Sequence, residues 1–132
     1  MKFSAKLQLF NAGLCGLLGL LSSFLPQEIL TELQLEHSDN SVFLIKALGA
    51  FYISWALLNY MIRNLTFGGV YGRPITAANL THYGIGAILL IKEALNSGGR
   101  NTYLFLFITL YCLMSLAYLK LLQHDPTKTH QV

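Results

Sequence analysis

Four stretches of the chain, residues 7 to 25, 42 to 64, 75 to 96 and 102 to 123, are almost continuously apolar, with polar residues gathered between them. A helix needs about 20 mostly apolar residues to cross the roughly 30 Å hydrocarbon layer of a bilayer, and each stretch meets that length. A lone strand would leave its backbone unpaired in lipid, and the short alternating segments of a small barrel are absent. The pattern predicts an all-α integral membrane four-helix bundle forming one domain.

Helix boundaries have local causes. Pro26 stops the first helix, Ser41 can cap the second, and Pro74 suits the first turn of the third. Asn96-Ser97-Gly98-Gly99 ends the third helix, and Asn101 or Thr102 can cap the fourth. Between the first two spans, residues 26 to 37 place Ile29, Leu30 and Leu33 opposite Glu28, Glu32 and Glu36. Two readings stand for this segment, a short amphipathic helix on the outer membrane surface and a solvated acidic loop.

Composition sharpens the class. Of 132 residues, 11% are charged, against roughly 25% in an average soluble domain, and residues 7 to 25 and 101 to 119 carry no charge. A basic start followed by an apolar run resembles a signal peptide, but Leu21 to Pro26 offers no small-x-small cleavage site, so the first helix is expected to be retained. Lys2, Lys6, Arg63, Arg73, Lys120 and Lys128 fall on one side of the predicted spans; Lys46, Lys92 and Arg100 fall on the other. The positive-inside rule then puts both termini in the cytoplasm and residues 26 to 41 outside. The expected location is a bacterial inner membrane, crossed several times, with no nucleic-acid partner.

Small residues mark packing faces: Ala12 with Gly16 and Cys15 with Gly19 on the first helix, and Ala50 with Ser54 on the second. They serve packing within the bundle or a homo-oligomer. Polar groups inside the spans say more about chemistry, because they are costly there and usually face a partner or cavity. Tyr52, Trp55, Asn59 and Arg63 form a stripe down the second helix, and Asn79, His82 and Tyr83 share a face of the third. The two helices are antiparallel, so Asn59 is expected to meet His82, directly or through Tyr52, Tyr83 or a water.

The connection from Leu65 to Pro74 holds three glycines between Arg63 and Arg73, giving either a tight turn with two anchoring cations or a site for an anionic lipid phosphate. His82 can shuttle a proton, hydrogen-bond across helices or serve as a single axial haem ligand; no second metal-binding side chain accompanies it at helical spacing, so no metal site is expected. Cys15 and Cys112 lie mid-helix without a CxxC pair and read as packing thiols. Tyr111, Ser115 and Tyr118 line the fourth helix, where they join the polar centre or hold helices together. The candidate ligand-binding set is therefore Tyr52, Trp55, Asn59, Arg63, Arg73, Asn79, His82 and Tyr83, with the cofactor undefined.

Lys46 to Tyr52, Leu58-Asn59-Tyr60-Met61, Gly68-Gly69-Val70-Tyr71-Gly72-Arg73-Pro74 and Asn79-Leu80-Thr81-His82-Tyr83 resemble segments of bacterial four-helix membrane proteins similar to the broad DoxX-like group. The resemblance covers residues 46 to 92. It implies a small membrane subunit, since some DoxX-type proteins belong to quinol-oxidising complexes, and it transfers no catalytic residue. Two functions follow as expectations. One is a non-enzymatic accessory subunit, of an electron-transfer complex for example, or a bundle binding lipid, quinone or another small ligand beside other subunits or its own copies. The alternative is a membrane enzyme or transporter centred on His82.

Overall fold

The computed structural model describes residues 3 to 64, 72 to 96 and 102 to 123. These residues are all-helical, in the order α1 (Phe3–Phe24), α2 (Pro26–Glu32), α3 (Asp39–Ile62), α4 (Gly72–Asn96) and α5 (Thr102–Gln123). Four helices, of 22, 24, 25 and 22 residues, are long and apolar enough to cross a membrane. Two compact units divide the chain, residues 1 to 64 and residues 65 to 132, and each is described by itself.

In the first unit, α1 contains no β-branched residue and ends where Leu25, preceding proline, leaves the helical region (φ −124°, ψ 46°). Pro26 then opens α2, where its missing N–H costs nothing. Past the end of α2, Gln34 takes a left-handed φ of 56°, which lets its N–H reach the Thr31 carbonyl and the Leu35 N–H reach the Leu30 carbonyl. The segment from 26 to 37 thus holds a short helix. Leu30 is buried, Ile29 and Leu33 are half-buried, Glu28, Glu32 and Glu36 are exposed, and α2 packs against both α1 and α3.

Helix α3 is capped three residues before the expected Ser41. Ser38 is its cap, accepting from the Ser41 N–H at 3.1 Å, and Asp39 adds negative charge at the positive end of the helix dipole. Ser41 instead bonds the Ser38 hydroxyl through its own side chain. At the other end the Arg63 side chain donates to the Tyr60 carbonyl at 2.7 Å.

Helices α1 and α3 are antiparallel and cross closely where two glycines meet. A Cβ added to Gly19 would lie 2.8 Å from the Ile53 nitrogen, and one added to Gly49 would lie 2.7 Å from the Ser23 nitrogen. Gly16 faces Ala56 at an ordinary 3.7 Å. The expected pairs on α1 therefore hold, with Ala12, Cys15 and Gly19 buried. The pair on α3 does not pack within the chain: Ala50 and Ser54 are exposed, which leaves the homo-oligomer alternative untouched, and the Ser54 hydroxyl bonds its own helix at the Ala50 carbonyl. The packing glycine is Gly49, one position earlier and about 100° further round the helix.

The second unit is the antiparallel pair α4 and α5. Pro74 lies in the first turn of α4, as its chemistry requires. Gly84 faces the Ser115 hydroxyl, and Gly86 lies against the Tyr111 ring. Most of the glycine-rich connection, residues 65 to 71, and the Ser97 to Asn101 turn lie outside the described residues.

Candidate functional site

On α3, Tyr52 is buried, Trp55 half-buried and Asn59 fully buried, as the stripe predicts. Phe51 stacks on Trp55 with ring centroids 5.7 Å apart and meets Tyr52 edge-on at 6.3 Å. The Asn59 amide donates to the Trp55 carbonyl one turn back, at 2.8 Å. Arg63 does not extend freely into solvent. Its guanidinium lies 3.8 Å from the centre of the Tyr60 ring while bonding the Tyr60 carbonyl, so its charge sits on the negative end of its own helix dipole.

Sequence reasoning missed the polar side chains of α1. Gln8, Asn11 and Cys15 are fully buried, and the Cys15 thiol donates to the Asn11 side-chain oxygen at 3.3 Å. Their spacing of three and four residues was the available signal, the same spacing that singled out Asn79, His82 and Tyr83. Continuing the antiparallel register set by Gly16 opposite Ala56 brings Asn59 level with Gly13 and Asn11 level with Met61. Gln8, Asn11 and Asn59 thus form one buried amide-rich layer at the end of the first unit where α3 finishes.

On α4, Asn79 and Tyr83 are fully buried, His82 is half-buried and Arg73 is exposed. The expected tyrosines of α5 join them. Tyr83 meets Tyr111 edge-on at 5.0 Å and lies nearly parallel to Tyr118 at 6.0 Å. His82 meets Tyr83 edge-on at 4.9 Å and Tyr111 at 5.7 Å. The result is a cluster of four rings; about two turns earlier on α4, buried Thr76 bonds the Gly72 carbonyl.

The expected set is thus divided, with Tyr52, Trp55, Asn59 and Arg63 in the first unit and Arg73, Asn79, His82 and Tyr83 in the second. Among the described residues no three His, Cys, Asp or Glu side chains gather to hold a metal ion, and neither cysteine is in a disulfide. The buried polar side chains are amides, phenols, hydroxyls and a thiol, which donate and accept hydrogen bonds without bringing a formal charge. His82 adds one group able to carry a proton. No protein-family profile, curated protein or solved structure matches the chain.

Proposed function

We propose that the protein is a multi-pass integral membrane protein, a four-helix bundle of the bacterial inner membrane with both termini cytoplasmic, that binds a lipid-soluble molecule rather than transforming it. The observation that carries this reading is the complete burial of Gln8, Asn11, Asn59, Thr76 and Asn79 in helices long and apolar enough to span a bilayer. Side chains of this kind are costly in hydrocarbon and are kept where a hydrogen-bonding partner meets them. Quinone or lipid carrying a polar head on an apolar tail has the matching chemistry, and the DoxX-like resemblance adds the role of accessory subunit in a membrane complex.

Purification from native membranes in a mild detergent tests this directly. The protein should arrive with a near-stoichiometric lipid, quinone or pigment in its organic extract, or within a larger complex. A bare monomer retaining nothing removes the proposal.

A second reading rests on His82, whose ring lies against both Tyr83 and Tyr111. If chemistry or proton transport runs there, His82→Ala at unchanged membrane abundance abolishes it, whereas a purely binding bundle keeps its assembly and is only weakened in binding at the second unit.

A further inference from the structure

Laying α1 on α4 so that Asn11 falls on Asn79 superposes four buried positions of the two helices, while buried Ala5 falls on exposed Arg73. Gln8 falls on Thr76, Cys15 on Tyr83 and Gly19 on Ala87, and every one of these residues is buried. Gly16 falls on Gly84, both half-buried, while Gly13, Leu17, Leu20 and Leu21 fall on Thr81, Ile85, Ile88 and Leu89, all exposed. Laying α3 on α5 with Tyr52 on Tyr111 does the same: Asn59 falls on Tyr118 and Ile62 on Leu121, all buried.

The packing inside each unit repeats one interhelical contact at matched positions. Gly16 faces Ala56 at 3.7 Å in the first unit, and Gly84 faces Ser115 at 3.6 Å in the second. Ala56 and Ser115 are themselves partners in the α3 on α5 match. A shared 3.6-residue period would align faces within one helix, but it would not reproduce the register between two. The longer connection of the first unit accommodates α2.

We infer that the chain is a tandem repeat of one helix-pair module and that Asn11 and Asn79 are one functional position used twice, so that the first unit carries its own binding layer, Gln8, Asn11 and Asn59. This rests on the binding role proposed above. The ligand class follows from what the repeat preserves. Matched buried polar positions are uncharged, whereas Arg63 falls on Leu122 and Arg73 on Ala5. An anionic head would need a compensating cation in a buried layer, so both layers suit a neutral head whose carbonyl oxygen accepts from an amide or phenol. A quinone and an uncharged diacylglycerol share that chemistry. His82 falls on Leu14 and distinguishes the second layer from the first.

The full-length protein, delipidated in detergent, is titrated with decylubiquinone or dioleoylglycerol and examined by native mass spectrometry. Two bound copies of one probe are expected per chain, and which probe binds identifies the source of the carbonyl. Asn11→Leu and Asn79→Leu should each leave one copy, the double variant none, and His82→Ala should weaken one copy while sparing the other. One copy in the wild type, lost on Asn79→Leu and untouched by Asn11→Leu, overturns the first unit's layer while the proposed function stands. Binding of neither probe overturns both. The wild-type stoichiometry decides the matter even where a variant fails to accumulate.

Discussion

A Cβ built on Gly49 would lie 2.9 Å from the carbonyl oxygen of Gly19. Two backbones at this distance leave no room for a methyl group, and relief requires the helices to separate. Gly49→Ala and Gly19→Ala should each lose about 1 to 3 kcal/mol, the usual cost of overpacking. Gly13, which has nothing within 4 Å of an added Cβ, is the internal control: its alanine variant should gain about 0.5 to 1 kcal/mol from helix propensity. Denaturant titration in detergent, with all three variants side by side, reads the difference.

Gly86 stands in the same relation to a ring. Its added Cβ would lie 2.5 Å from Cε1 of Tyr111, a side chain that is buried and holds Tyr83 edge-on. Gly86→Ala should displace that ring and cost about 0.5 to 1.5 kcal/mol of aromatic packing, with a reduced tyrosine signal in near-ultraviolet circular dichroism. An unchanged spectrum at full stability would show that the ring cluster is not packed as described.

Asn59 bonds a carbonyl of its own helix, so the bond does not tie α3 to another element. Asn59→Leu, close in volume, should cost about 0.6 kcal/mol, the average found for hydrogen bonds inside membrane proteins. A loss above about 3 kcal/mol in the same titration would mean that the amide holds the fold together rather than facing a ligand.

The spans were legible because hydrocarbon thickness sets helix length and Pro26 sets one end. Their starts were less so: α1 runs back to Phe3 and α3 to Asp39, since short polar residues are tolerated in a first turn and a cap can sit at any of several serines. Asn79, His82 and Tyr83 were found by spacing, yet Gln8 and Asn11 escaped because the glycines beside them draw attention to packing alone. Reading Ala50 for Gly49 shows how one position turns a packing face outward. The repeat was hidden for a physical reason. Burial and register preserve it, whereas apolar positions accept many side chains, leaving few identities such as Asn11 with Asn79 and Tyr52 with Tyr111.

Which side of the membrane holds each helix end tests the central claim, four crossings with both termini cytoplasmic, most directly. In a Cys15→Ala, Cys112→Ala background, single cysteines replace the exposed residues Glu36, between α2 and α3, and Gln123, at the end of α5. An impermeant maleimide applied to intact spheroplasts should label Glu36→Cys at once and Gln123→Cys only after the membrane is opened. Labelling of Gln123→Cys in sealed spheroplasts would contradict the cytoplasmic termini, and labelling of both positions from one side would contradict the four crossings.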